Sequence, residues 1–199
     1  MLPGELDELH FIVPIENLNS IRQHGILCQN EVRKRGLTFK SLANPEIQQI
    51  RAKRMVSQGR VIHDYANLYV NGRNSTLFSM LQQKIPTCLL SVSPTVLDVP
   101  GVHVSRRNAA SEEPSILPYP SGLEQVQRNE VMRDSWFVKD DAVLSHQYEL
   151  LMAAEVLVPS AIGTSYLVKA YASSANQRTE VLDVGIGIPV SVNKWMFFG

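Results

Sequence analysis

The stretch Ile47–Phe78, IQQIRAKRMVSQGRVIHDYANLYVNGRNSTLF, holds the densest set of chemically useful side chains in the sequence. It opens with a basic run around Arg51, passes through His63-Asp64-Tyr65, and closes on Leu68-Tyr69-Val70 followed by Asn71-Gly72-Arg73-Asn74. The apolar run at 68–70 predicts a buried strand, and Ser75 to Gln82, capped by Ser75, a short helix behind it. Pro45-Glu46 predicts a helix start, running from Ile47 to about Met55 and ended by Ser57-Gln58-Gly59. On that helix Ile47, Ile50 and Met55 share one side, and Arg51, Lys53 and Arg54 point largely away from it. Few structural tasks need so many groups able to hold anions and bases in so short a span.

Working outward, Leu9 to Ile15 (LHFIVPI) predicts an apolar strand around a lone His10. A helix from Asn17 or Asn19 to His24 stops at Gly25, and Ile26-Leu27-Cys28 extends again. Downstream, Cys88–Val92, Val102–Val104, Glu155–Pro159, Tyr166–Tyr171, Ile188–Val192 and Trp195–Phe198 read as strands. Leu123–Asp134, Ala142–Ala154 and a segment capped by Ser173 or Ser174 read as helices. Residues 105–122 hold three prolines among Ser, Asn and Gly, a loop too long to serve as connection alone. The order of elements implies an α+β fold, one domain over residues 1–199, without repeat, linker or low-complexity tract.

Composition sets the outer bounds. With 199 residues, 44% hydrophobic and 19% charged, the chain can bury a core and is not disordered. No apolar run approaches the ~20 residues of a membrane helix, and Met1–His10 is unlike a secretion signal. Cys28 and Cys88 have no C-x-x-C partner and fit a reducing cytoplasm as small packed hydrophobes. Net charge is zero, against a general nucleic acid coat. Yet residues 33–60 set Arg33, Lys34, Arg35, Lys40, Arg51, Lys53, Arg54 and Arg60 against Glu46 alone, a local +7. That is a candidate anion-binding face or a solvated loop.

Several chemistries find no support. Gly185-Ile186-Gly187-Ile188 lacks the dinucleotide fingerprint and a following helix, and there is no P-loop. The five histidines never fall at metal-ligand spacing, so no metal is expected. No G-x-S-x-G elbow is present. Glu155, by contrast, opens the otherwise apolar run Val156-Leu157-Val158, where a carboxylate is expensive to bury and calls for a function or an ion pair with an arginine.

Taken together, these pieces resemble DarT, a family of toxins that ADP-ribosylate single-stranded DNA with NAD. The shared features are His10 … Asn17-Leu18 … Gly25, then Ile47-Gln48 … Arg51. Val61-Ile62-His63-Asp64-Tyr65 follows, leading into Leu68-Tyr69-Val70 … Arg73-Asn74 … Leu77-Phe78; Ala154-Glu155-Val156-Leu157-Val158 and Trp195-Met196-Phe197-Phe198 come late. The resemblance implies an ADP-ribosyltransferase-like fold with central mixed or antiparallel sheets flanked by helices. It implies NAD as a substrate, single-stranded DNA as acceptor through guanine or thymine, and a cognate antitoxin resembling an ADP-ribosyl glycohydrolase. It makes Arg51 and Glu155 catalytic, and sets His10, Phe11, Ile12, Leu27 and Arg51 around NAD. A loop from about Val32 to Lys53 would close over NAD, and the stretch from about Ser105 toward Glu155 would present the base. The DNA-contacting set is His63, Tyr69, Arg73, Asn74, Arg106 and Arg107. An acceptor of RNA or protein, or a silent nucleic-acid-binding domain, are the alternatives. Departures stand out as well: the strand after His10 is one residue longer than the family pattern, Gly72 replaces the usual proline or alanine, and the loop Ser105–Ser111 differs from that of thymidine-modifying members.

The chemistry agrees with the residue types. Cleaving the ribose–nicotinamide bond develops positive charge on the sugar, where a fixed carboxylate such as Glu155 is worth most in the transition state. Arg51 suits paired phosphates by its bidentate fork, and as a poor base it suits an anion better than a proton. Tyr69, Arg73 and Asn74 have the groups to stack on and hydrogen-bond a splayed base. A strand-mouth carboxylate is expected to add little stability, so Glu155→Ala is expected to silence the protein and leave it folded.

Overall fold

The computed structural model describes residues 1–40, 44–57 and 59–199. From the amino terminus the chain forms strand β1 (Leu9–Pro14), helix α1 (Leu18–His24), strand β2 (Ile26–Leu27) and helices α2 (Gln29–Lys34) and α3 (Pro45–Lys53). Next come strands β3 (Met55–Ser57), β4 (Arg60–Val61) and β5 (Tyr65–Tyr69), helix α4 (Ser75–Gln82) and strand β6 (Thr87–Val92). The second half adds β7 (His103–Ser105), β8 (Ile116–Pro118), helices α5 (Ser121–Glu124), α6 (Arg128–Val131) and α7 (Ala142–Met152), and β9 (Glu155–Pro159). β10 (Ala161–Ile162), β11 (Leu167–Ala172), helix α8 (Ala175–Asp183) and β12 (Val190–Val192) complete it.

Among the described residues, eight strands form one sheet in the order β12-β11-β6-β1-β5-β9-β7-β8, antiparallel except for β11 beside β12. This is the α+β arrangement of helices around a mixed, mainly antiparallel sheet that the sequence implies. Alternation along each strand sorts side chains to two faces. Leu9, Val13, Leu68, Leu90, Val104, Val156 and Ala170 pack on one face with Leu18 and Ile21 of α1 and Val181 of α8. Ile12, Tyr69, Leu89 and Tyr171 pack on the other with Leu77 and Met80 of α4 and with Met196 and Phe197. One row on this second face is polar throughout: Lys169 pairs with Ser91, Ser91 with His10, His10 with Tyr69, Tyr69 with Glu155, and Glu155 with Ser105.

β1 runs beside β6 over its full length but meets β5 at the single pair His10–Tyr69. Beyond that pair β1 and β5 part, and the sheet opens between them. This split is where the site forms.

Several local expectations need correction. The segment after α3 does not end at a turn: Met55–Ser57 and Arg60–Val61 pair as a hairpin, with Gln58 outside the described residues. α4 is capped by Asn74, not Ser75. Residues 105–122 include strand β8 on the sheet edge, and Leu123–Asp134 gives two short helical turns rather than one helix. Trp195–Phe197 is a 3-10 turn packed on α4, not a closing strand. No described helix is long and apolar enough to cross a membrane.

Candidate active site

Helix α3 is fixed at both ends. Asn44 accepts from the Glu46 N–H at 2.8 Å, Pro45 takes the first turn where its missing N–H costs nothing, and the Arg54 N–H closes on Ile50. Midway, His63 Nε2 donates to Gln48 Oε1 at 2.8 Å, tying α3 to the turn that enters β5. Arg51 lies one turn beyond Gln48 on the same face. Its two terminal nitrogens meet both oxygens of Glu155, Nη1–Oε1 at 3.1 Å and Nη2–Oε2 at 2.9 Å. The Ala109 N–H donates to Oε1 as well, at 3.1 Å.

Glu155 owes its position to the sheet. As the first residue of β9, hydrogen-bonded between β5 and β7, it projects on the face opposite Val156 and is wholly buried. Arg51 is only 8% exposed, so two charges 104 residues apart in sequence meet inside the protein. Burial alone lowers the Arg51 pKa, but the charge and hydrogen bonds of Glu155 outweigh it and the net direction is up. Arg51 is therefore held as a cation.

A cavity of about 550 Å³ fills the split in the sheet. Phe11, Ile12, Val13 and Pro14 of β1 form one wall, and Tyr65, Asn67 and Tyr69 of β5 the facing one. Gly25–Gln29, Val32, Phe39, Asn44, Ile47, Gln48 and Arg51 also line it. Ser75, Thr76, Ser79, Asn108, Ala110, Ser111 and Ala153 contribute as well. Among the described residues no group of three or more His, Cys, Asp or Glu side chains stands ready to hold a metal.

The residues singled out from sequence fall into distinct places. Phe11, Ile12, Leu27, Arg51, His63 and Tyr69 line the cavity. His10 does not: it shares a sheet face with Tyr69 but packs against Gly72, and burial drives its pKa down to about 4. The β1 part of the wall runs from Phe11 to Pro14. Tyr69 donates or accepts with Thr76 at 3.1 Å, and burial, then the Glu155 charge, push its phenol up to about 12. His63 is lowered by burial and by Arg33 and Arg51; with Nε2–H spent on Gln48, its buried Nδ1 has no partner.

Three members of the DNA-contacting set are otherwise engaged. Asn74 is fully buried: its Oδ1 accepts from Thr76 and Leu77, and its Nδ2 donates to the Asn71 carbonyl. A side chain with every hydrogen-bonding group committed to the backbone cannot read a base, so Asn74 leaves that set. Arg73 lies outside the cavity, over the Phe198 ring at 4.1 Å and the Trp195 ring at 5.1 Å, bonded to the carbonyls of Asp134 and Trp195. Arg106 pairs with Glu130 at 3.0 Å, and Arg107 is partly exposed beyond the cavity wall. The 32–53 loop lines the cavity through Val32, Phe39, Lys40 and α3, with residues 41–43 outside the described residues.

Gln48, Arg54, Asn108 and Ser111 were not named individually as site residues from sequence, although Gln48 stood among the shared features, Arg54 in the basic run, and Asn108 and Ser111 in the stretch expected to present the base. Gln48 adjoins Arg51 at helical spacing and was reachable in principle; the others depend on which loops the fold brings together.

Comparison with known proteins then adds an independent line. The family described as "DarT: ssDNA thymidine ADP-ribosyltransferase, DarT" matches residues 10–198. A "DNA ADP-ribosyl transferase-DNA ADP-ribosyl glycohydrolase fusion protein" of Thermosipho africanus (strain H17ap60334) is 25% identical over 169 residues, 83% of this chain and 42% of the fusion. The chain thus spans less than half the length of that relative. Two structures of Thermus sp. 2.9 DarT share the fold. The complex with ADP-ribosylated ssDNA has a TM-score of 0.83 at 20% identity, covering 97% of each chain. The complex with NAD+ has a TM-score of 0.77 at 18% identity, covering 97% of this chain and 98% of that one.

Proposed function

This chain belongs to the DarT family, and from that membership we propose that it transfers ADP-ribose from NAD to a base of single-stranded DNA, thymine by the family's description, releasing nicotinamide. The observation that carries the reading is the bidentate Arg51–Glu155 pair, with Arg51 in the wall of a cavity whose volume lies in the small-molecule range. The Thermus protein of the same fold is described in complex with NAD+ and with ADP-ribosylated ssDNA, which supports NAD as donor and single-stranded DNA as acceptor.

NAD supplies a ribose–nicotinamide bond whose cleavage leaves positive charge on the sugar and the bonding pair on nicotinamide. Glu155 sets a fixed negative charge beside that carbon, strongest in effect when the sugar is most cationic. A lone pair of the acceptor nitrogen closes the new bond to the same carbon, and the nitrogen's proton leaves to Glu155 or to water. Arg51, held protonated by Glu155, cannot take it; its role is to stabilise phosphate oxygens and the base as it becomes anionic. Phe11, Ile12 and Leu27 exclude water from the donor side, and Tyr69 offers its ring to the base. With Arg106 paired to Glu130, the partly exposed Arg107 is the arginine of that loop left to meet strand phosphates. With Glu155 already accepting three donors, engagement of the substrate displaces at least one of them.

We place residues 1–199 in one domain that acts in the cytoplasm, where DNA and NAD are found. The relative's fusion to a glycohydrolase supports a partner that removes the modification, making the chain the toxin of a toxin–antitoxin pair. The test incubates the protein with NAD and single-stranded oligonucleotides that each lack one base type, read by intact mass. An ADP-ribosyl adduct on all but the thymine-free strand, with matching nicotinamide release, is expected. An adduct that follows guanine corrects the base. Absence of any DNA adduct overturns the reading, with RNA and protein arms identifying another acceptor.

A further inference from the structure

Arg54, the residue that ends α3, sends its side chain across to the loop after β7. Its Nη1 donates to the Ala109 carbonyl at 2.8 Å and to the Ser111 carbonyl. The same loop folds on itself, with the Ala110 N–H on Asn108 Oδ1 at 2.8 Å and the Ser111 N–H on the Asn108 carbonyl at 3.0 Å. The Ala109 side chain is fully buried against Ile62, Tyr65 and Leu157. Asn108, Ala110 and Ser111 face the cavity instead, and the Ser111 hydroxyl is buried with no partner.

One residue, Ala109, thus joins two arginines through one carboxylate. Its carbonyl accepts from Arg54, its N–H donates to Glu155, and Glu155 is gripped by Arg51, three residues before Arg54 on the same helix. The loop contributes Asn108, Ala110 and Ser111 to the cavity lining, and on the transfer reading it is the part of the wall that meets the acceptor.

We propose that Arg54 is a positioning residue for the acceptor: it fixes the Asn108–Ser111 loop to α3, so that the part of the cavity wall facing the incoming base keeps its geometry, while Glu155 stays held by Arg51 and its strand. This rests on the transfer reading above and adds to it a partition. Cleavage of NAD needs Glu155 and Arg51, both still present without Arg54. Capture by a base rather than by water also needs the acceptor wall in register, and misplacement by ~1 Å costs as much as a hundredfold in rate.

The test measures, for one preparation, total nicotinamide released and ADP-ribosyl-oligonucleotide formed, in wild type, Arg54→Met and Arg54→Lys. Arg54→Met removes both hydrogen bonds and keeps the stem; Arg54→Lys keeps a charged donor without the fork. Transfer by Arg54→Met is expected to fall by about tenfold or more, as lost charged hydrogen bonds imply, with a raised KM for oligonucleotide. NAD cleavage to free ADP-ribose is expected to change by less than about threefold, and Arg54→Lys to recover part of the transfer fraction. Equal loss of both activities, or an unchanged ratio in an active enzyme, overturns the inference alone. A wild type that forms no DNA adduct overturns it together with the transfer reading. Should Arg54→Met not fold by circular dichroism, the transfer fraction of Arg54→Lys decides in the same way.

Discussion

Removing the Glu155 carboxylate strands the Arg51 guanidinium inside the protein, and this reverses the expectation that Glu155→Ala is structurally mild. Breaking a buried pair by deleting one partner costs about 3 kcal/mol or more, so Glu155→Ala is predicted to lower the melting temperature by roughly 10 °C. Glu155→Gln, which still accepts from Arg51, is predicted to stay within a few degrees of wild type; thermal melts of the two variants compare them directly. His10 gives the residue scale its pH dependence. Its folded pKa of about 4 lies below the value of 6.5 for the free side chain, so the unfolded chain binds the extra proton first. The stability that His10 contributes is therefore full above pH 6.5 and lost as pH falls toward 4. Glu8 adds to the loss at still lower pH. Burial raises its carboxyl, but hydrogen bonds from Ser91 and Tyr171 and the charges of His10 and Lys169 outweigh that and lower it. Urea titrations from pH 7 to 4 should show a decline that His10→Gln flattens. Gly72 is explained by the same ring: a Cβ there would stand 2.9 Å from His10 Cγ, so even an alanine has no room unless the buried imidazole shifts.

At the scale of elements, α4 and α3 show where patterns in sequence succeed and where they stop. The span of α4 was legible to the residue, because Ser75–Gln82 has an apolar stripe and a polar start. Its cap was misread, since Asn74 looks as useful to a base as to a helix and only burial decides between them. Asn74→Ala is predicted to cost at least about 1 kcal/mol, because it frees two helix N–H groups and the Asn71 carbonyl at once. Its transfer rate per folded molecule should stay within about twofold of wild type, which a melt and an oligonucleotide assay check together. α3 was legible as a helix but not in its facing. Ile47 and Ile50 are each 38% exposed and Met55 55%, whereas Arg51 turns inward. An apolar stripe normally marks the buried side; here the ion pair with Glu155 outweighs it, and that partner is invisible without the fold.

For the whole molecule, the sheet order explains why the site resisted a linear reading. Arg51 and Glu155 stood out by residue type and resemblance, but the cavity exists because β1 leaves β5 after one pair, which no local pattern announces. The same applies to charge. The +7 segment looked like an anion-binding face, yet Lys34 and Arg35 pair with Glu31, Lys40 with Glu16, and Arg51 with Glu155. Compensated in this way, a neutral chain should bind single strands with a shallow salt dependence, a log–log slope of about −2 or weaker, corresponding to about three phosphates at most. A steeper slope in a fluorescence titration would point to a basic track that these pairings conceal.

The central claim is that Glu155, paired to Arg51, stabilises the sugar while ADP-ribose passes to DNA. It is tested most directly by the initial rate of adduct formation on a thymine-containing strand, wild type against Glu155→Gln, in preparations with matched melting temperatures. The account predicts a rate at least about a hundredfold lower for the variant. Transfer at the wild-type rate by folded Glu155→Gln would contradict it.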